Sequence, residues 1–428
     1  MTTVQPTARR PRVPAARAGG QPAAGPSAAS VAGQSLLDRA ATPYYLLLGA
    51  STLLLVLGVV MVFSASSVTA FAFLGSSMAI VSKQAMWVVI GLPLLWCASR
   101  LPVRAWRLGA YVGMAASLAL LLLVAVAGTE VNGNRNWLDF GGPFRIQPSE
   151  LAKLSLVLWG ADLLARKERL LGQWKHLLVP LVPVGGGVLG LVLLGGDLGT
   201  AVILACILAA LLWVAGAPAR LFALALVPAG LLVAWMVNSH SYRMSRITDW
   251  LHPEQADPLG TGLQALHGKF ALASGGWWGV GLGGSKEKWG ALPEAHTDFI
   301  FAIIGEELGL VGTLAVLALI GAIGYAGLRI ALAATEPFVR LAAAGVTAWL
   351  LVQALVNIGA VLGLLPIMGV PLPLVSYGGS ALVPTMLGIG MLLSFARPPA
   401  SRRRRAVGRS AARVARARQA GRPREAAR

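Results

Sequence analysis

The sequence predicts an all-α polytopic membrane protein of about ten transmembrane helices, with both termini in the cytoplasm. Three observations carry that prediction. Apolar residues make up 56% of the 428 positions and charged residues only 12%, about half the charged share of an ordinary soluble domain. The apolar residues come in long runs rather than at amphipathic spacing, and the mean hydropathy is +0.70. The basic residues gather in two tails and in alternate short turns, as they do on the cytoplasmic side of membrane proteins.

Residues 1–42 are rich in Ala, Pro, Gly and Arg, including Arg9, Arg10, Arg12 and Arg17, and read as a disordered basic tail. That stretch is too long and polar to be a cleavable signal peptide. Apolar segments follow at 44–64, 79–99, 107–127, 149–165, 177–195, 199–217, 219–238, 298–328, 338–364 and 380–396. Each is near the ~20 residues needed to cross the hydrocarbon core. Threading ten segments puts Arg100, Arg104, Arg107, Arg166, Lys167, Arg169, Lys175, Arg220, Arg329, Arg340 and Arg402 to Arg405 on one side. The positive-inside rule makes that side cytoplasmic. Residues 398–428 form a second basic, disordered tail, leaving 43–397 as the membrane domain.

A net charge of +19 raises the question of nucleic acid. Its placement in tails and turns points instead to anionic membrane lipid, and no nucleic-acid partner is expected. Cys97 and Cys206 both fall in apolar runs, which argues against a disulfide framework or a zinc site. The histidines, His176, His240, His252, His267 and His296, lack metal-ligand spacing. The Gly-rich run GVGLGG has no strand–helix unit around it, so a nucleotide site is not supported.

Three outer loops hold the informative polar sequence: 128–148, 239–297 and 365–379. The second is nearly sixty residues long, well beyond ordinary connections. Trp277, Trp278 and Trp289 in it favour an ordered loop at the membrane interface. At its end, LPEAHTDFIFAIIGEELG puts Asp298 where the polar loop meets an apolar segment. Thr297 before it is a good N-cap, which predicts Asp298 in the first helical turn. A helix-terminal acid interacting with the macrodipole is the plain reading of that position. Adjacent His296, the long loop and the lipid beyond favour chemistry. Glu306 and Glu307 lie deeper and read as bundle residues bonded to polar neighbours.

In RIQPSELAKL, Pro148 suits the first turn of a helix and brings Glu150 and Lys153 onto one face as a pair. The pair is a structural clasp or part of a polar cavity, and spacing does not separate these. Arg135 and Arg145 suit an anionic head group, or else snorkel at the interface. Asp197 in GGDLGTA reads as the cap of the next helix. In VPLPLVSYGGS, Ser376 and Tyr377 could hydrogen-bond a substrate or satisfy the loop's own backbone.

The motifs NGNRNWLDFGGPFRIQPSELAKL, GGDLGTA, LPEAHTDFIFAIIGEELGLVG and GLLPIMGVPLPLVSYGGS together closely resemble the SEDS family, whose members include FtsW, RodA and SpoVE. They occur in the family's order, and the resemblance spans roughly residues 44–397. It implies a peptidoglycan glycosyltransferase of the bacterial cytoplasmic membrane that polymerises lipid II into β-1,4 glycan strands on the outer face. It implies Asp298 as the essential catalytic carboxylate, with Glu150 and Lys153 in the polar cavity. Arg135, Arg145, His296, Ser376 and Tyr377 join them as candidate substrate-binding residues. It also implies lipid II and the undecaprenyl-pyrophosphate-linked glycan as substrates. A class B penicillin-binding protein and other division proteins are the expected partners, and Mg or Mn an expected divalent cofactor. The stretch PEAHTDFIFAIIGEELG and the ending LLSFAR favour the division branch and a septal location, whereas SYGGS is closer to the elongation branch. A lipid II flippase is the alternative, since intramembrane charges and Pro/Gly-broken segments also suit a transporter. A divisome scaffold is a third reading.

Overall fold

The computed structural model describes residues 42–397, apart from 132–133, 142–144, 239–240 and 261. Both tails, Thr42 aside, and His240 lie outside the described residues. Helices cover every apolar segment. In chain order they are α1 (Thr42–Leu74), α2 (Ala79–Arg100), α3 (Val103–Ala127) and α4 (Pro148–Arg166), then α5 (Trp174–Leu178) and α6 (Leu181–Leu194), which share one segment. Next come α7 (Leu198–Val214), α8 (Ala219–Asn238), α9 (Ser241–Leu251), α10 (Leu263–Gly275), α11 (Ile300–Ala333), α12 (Pro337–Val361) and α13 (Gly379–Ala396).

Among the described residues, seven helical stretches are long and apolar enough to cross a membrane, counting α5 and α6 together. The three remaining segments depart for visible reasons. The helix α7 and the apolar part of α8 are shorter. The helix α4 carries Glu150, Lys153, Asp162 and Arg166 within its length. Those charges are paired rather than bare: Lys153 with Glu150 at 2.7 Å, and Asp162 with both Arg107 and Arg166 at 2.6 Å. Pairing is what lets ionisable groups reside in such a helix.

The core is a helix bundle in which α12 is the most enclosed of the candidate spans. It packs against α4, α7, α11 and α13, while α1 lies along α11 and α2 along α13. Glycines set the closest approaches: a Cβ at Gly379 would strike the Trp87 ring, and one at Gly390 would meet Ala98. Outward-facing residues such as Leu53, Val89, Leu224 and Leu231 are exposed.

Two features differ from the all-α expectation. First, residues 129–146 form a three-stranded antiparallel sheet of β1 (Thr129–Val131), β2 (Asn134–Asp139) and β3 (Arg145–Ile146). Glu130 pairs with Arg135, and Asp139 with Arg145. Strands this short have too few alternations to register as a period. Second, α11 is broken at Gly309, where φ is 67° and ψ is −163°. The loop after α10 fills the break. Val280 and Gly281 N–H donate to the carbonyls of Glu306 and Glu307, and Leu310 and Val311 N–H donate to those of Gly276 and Trp277. The kink thus exchanges helix bonds for loop bonds, so few backbone groups are stranded.

The long loop is therefore ordered as α9, α10 and the segment that docks on α11. Trp277, Trp278 and Trp289 are exposed on it, between 69% and 81%. Beneath them Lys288 is buried, bonding Glu307 at 3.0 Å and the carbonyl of Gly283 at 2.7 Å. Ser64 of α1 donates to Glu307 at 2.6 Å, and Ser285 donates to Glu306. Glu306 and Glu307 thus have polar partners drawn from three elements.

Candidate functional site

The site is assembled from helix starts. Gln147 stands at the N-cap position of α4 and Pro148 at its first turn. Asp197 caps α7, accepting from the Thr200 N–H at 2.8 Å through one oxygen and from the Gln147 side-chain amide at 2.8 Å through the other. The first turns of α4 and α7 are thereby joined. Asp298 immediately precedes α11 and lies within electrostatic reach of Asp197, so the starts of α4, α7 and α11 lie at the same end of the bundle, where helix dipoles are positive.

Asp298 does not occupy a first helical turn capped by Thr297. The α11 helix begins at Ile300, and the Thr297 hydroxyl bonds back to Glu294, to its carbonyl at 3.1 Å and its carboxylate at 2.5 Å. Glu294 has φ of 55°, one of two non-glycine residues in the left-handed region among the described residues. Its carbonyl also accepts from the N–H groups of Thr297 and Phe299. Asp298 is thus held in a turn with a strained first residue. The second such residue, Leu374 with φ of 66°, lies in the facing loop 365–378.

That loop clamps the turn. Ser376 donates its hydroxyl to the Thr297 carbonyl at 2.6 Å and accepts from the Leu372 N–H at 2.7 Å. Tyr377 N–H donates to the His296 carbonyl at 3.0 Å, and the two rings lie 5.4 Å apart at a tilt of 54°. The Ser376 hydroxyl is therefore engaged with backbone on both sides. The Tyr377 ring and His296 line the same clamp, both partly buried. Burial lowers the His296 pKa, partly offset by Glu294, and raises that of Tyr377. Both rings are thus favoured in their neutral forms.

The Asp298 carboxyl is pushed up to about 7. Burial is the largest cause; the carboxylate of Glu294 adds to it, Arg246 opposes it and Asp197 adds a smaller amount. Arg246, on α9, also donates to the Ile367 carbonyl at 3.0 Å, and so ties that helix to the clamping loop. A carboxyl titrating near neutrality suits proton transfer.

Deeper lie Glu150 and Lys153, both buried. Lys153 bonds Glu150 at 2.7 Å and the Gln353 side-chain oxygen at 2.8 Å, with the Trp349 ring 5.6 Å away. The second Glu150 oxygen has no partner among the described residues. Arg135 and Arg145 stand apart on the sheet. Arg145 pairs with Asp139 at 3.0 Å, and Arg135 is exposed, its N–H bonded to the Gly195 carbonyl. Among the described residues neither forms an ion pair with Asp298, Glu150 or Asp197. No group of three or more His, Cys, Asp or Glu side chains among the described residues could hold a metal. These residues therefore do not form a protein-built site for the expected divalent ion.

Sequence reasoning missed Glu294, Arg246, Gln353 and Asn357 as members of this site. Gln353 and Asn357 had a signal: amide side chains four residues apart inside an apolar segment. Arg246 had none, because its place depends on how α9 folds back.

Comparison with known proteins identifies the family. The family described as "Cell cycle protein", FtsW/RodA/SpoVE, matches residues 45–400. The probable peptidoglycan glycosyltransferase FtsW of Mycobacterium tuberculosis is 43% identical over 363 residues, 84% of this chain and 69% of that protein. A protein of the same description from Thioalkalivibrio sulfidiphilus is 41% identical over 369 residues, 85% of this chain and 92% of its own. A solved structure described as structural coordination of polymerization and crosslinking by a peptidoglycan synthase complex is also similar. It has a TM-score of 0.68 and 31% identity, covering 82% of this chain and 96% of that one. With its candidate spans and its sheet and loops in place, this chain is a polytopic membrane protein belonging to the FtsW/RodA/SpoVE family.

Proposed function

We propose that this protein is a peptidoglycan glycosyltransferase that polymerises lipid II into β-1,4 glycan strands on the outer face of the cytoplasmic membrane. The similarity to proteins named for that activity supports the reaction class. The observation that carries the mechanism is Asp298, a carboxyl pushed up to about 7 and clamped between two loops at one polar end of the bundle. Ten spans with both termini cytoplasmic would make that end the outer one.

In this mechanism Asp298 is the general base. It takes the proton from the GlcNAc 4-hydroxyl of lipid II, and the oxygen attacks the anomeric carbon of the growing glycan. The bond to the undecaprenyl pyrophosphate breaks, and the α-linked sugar becomes β-linked with inversion. The gathered N-termini of α4, α7 and α11 offer positive dipole ends to the departing pyrophosphate. Lys153, Arg135 and Arg145 are the cations nearest in role. Holding both sugars in register supplies much of the acceleration, because a carboxylate is a modest base toward a hydroxyl. A divalent ion, where the substrate pyrophosphate brings one, would add Lewis-acid neutralisation of the departing charge.

The higher identity to proteins named FtsW favours septal wall synthesis, with a class B penicillin-binding protein as the cross-linking partner. A flippase would need its polar groups near mid-span, whereas Asp197 and Asp298 stand at or before helix starts and Glu150 in a first turn. The test is polymerisation of lipid II by the purified protein with its partner, wild type against Asp298→Asn. Glycan strands from the wild type and none from a folded Asn variant support the base. Equal product from both removes Asp298 from that role.

A further inference from the structure

One face of α12 carries Trp349, Gln353 and Asn357 at four-residue spacing, all buried and all polar-ended. Gln353 is 1% exposed and Asn357 is 2% exposed. The Gln353 oxygen accepts from Trp349 at 2.7 Å and from Lys153 at 2.8 Å, while its amide donates to the Pro371 carbonyl at 2.9 Å. One turn on, the Asn357 amide donates to the Val370 carbonyl and to the Asp298 carbonyl, both at 2.8 Å. The Asn357 oxygen has no partner among the described residues.

A buried amide in an apolar segment is costly unless its bonds matter. Here they fall on carbonyls outside the regular helices, and one belongs to Asp298 itself. The Asp298 turn is otherwise held through its neighbours: Thr297 by Ser376, His296 by Tyr377, and Phe299 by Glu294. We propose that Asn357 is a positioning residue for Asp298, fixing the main chain of that residue against α12, and that Gln353 ties the same helix face to the Glu150–Lys153 pair. This inference rests on the reading of Asp298 as the base. It makes α12 the common ruler that sets the base relative to the buried charge pair.

The test compares wild type, Asn357→Leu, Asn357→Ala and Asp298→Asn in lipid II polymerisation across pH, with size-exclusion profiles as the check on folding. Leucine keeps the branching of asparagine at Cγ, though it is larger, and removes the donor; alanine removes the donor without crowding. Freed from Asn357, the Asp298 turn admits water. The expected result is a fall in kcat of about tenfold to a hundredfold, a KM for lipid II within about twofold of wild type, and an acid limb of the pH profile moved to lower pH. Wild-type kcat and an unmoved limb in both Asn357 variants overturn the proposal. So does a loss of activity with an unmoved limb, or a KM that rises in step, since either marks a structural or binding role. Failure of both variants to fold also overturns it. An Asp298→Asn protein as active as wild type removes the base reading itself, an outcome distinct from an inert Asn357.

Discussion

The hydroxyl of Ser376 donates to the carbonyl of Thr297 across 2.6 Å, joining residues 79 positions apart in the chain. That bond pins the residue before Asp298 to the loop that precedes the last helix. The same oxygen receives the Leu372 N–H, so a single small side chain satisfies backbone groups in two loops. Ser376→Ala leaves a buried carbonyl and a buried N–H without partners. We expect a loss of stability of about 1–3 kcal/mol, read as a lower unfolding midpoint in detergent. Polymerisation should fall with it. An unchanged midpoint would mean that water replaces the hydroxyl.

The Asp298 carboxyl, held at about 7, makes polymerisation depend on pH in a definite direction. A base acts when ionised, so the rate should rise with pH through about 7 and level off above it. Glu294→Gln removes a like charge and should move the acid limb to lower pH. Arg246→Met removes an opposing cation and should move it to higher pH. Limbs that shift in the same direction would contradict the assignment of these neighbours.

The same shift bears on folding. The folded-state pKa of Asp298 lies above its ordinary value of 3.8, so the folded state holds that proton more tightly than the unfolded chain. The stabilising contribution is complete below about 3.8 and is lost as pH rises through about 7. Unfolding midpoints of wild type relative to Asp298→Asn should therefore decline across that window. A constant difference would show that the carboxyl is not shifted.

Glu150 and Lys153 form a pair whose side chains are 2% and 1% exposed, so removing one partner leaves a buried charge. Glu150→Gln or Lys153→Met alone should each cost about 3–5 kcal/mol. The double variant should cost less than the sum of the singles, giving a measurable coupling in a double-mutant cycle of unfolding. Additive losses would mean that the two charges do not act as a pair.

Lys288 secures the loop carrying the exposed tryptophans by reaching Glu307, Ser64 and the Gly283 carbonyl. Lys288→Met should leave Glu307 with its hydroxyl partner but without its cation, at a cost of about 3–5 kcal/mol. The loop after α10 should then become the first site of cleavage in limited proteolysis. A cleavage pattern identical to wild type would show that the backbone bonds to the α11 kink suffice.

The apolar runs, the charge bias of the loops, the Pro148 helix start, the Asp197 cap and the Glu150–Lys153 pairing were all legible in the sequence. Each depends on residues within a few positions of one another, or on hydropathy summed over a local window. Asp298 stood out for the same local reason, as an acid where a polar loop meets lipid. What surrounds it was decided only by tertiary structure. The Thr297 hydroxyl could cap a helix or bond back to Glu294, and only the clamp from Ser376 and Tyr377 selects the second. Burial and the nearby Glu294 carboxylate do most to set the Asp298 carboxyl, and the further charges that bear on it, Arg246 and Asp197, come from parts of the chain far from it in sequence. The break at Gly309 likewise requires a partner loop to take up the freed carbonyls. Local chemistry determines which residues are costly to bury; long-range packing determines which of them meet.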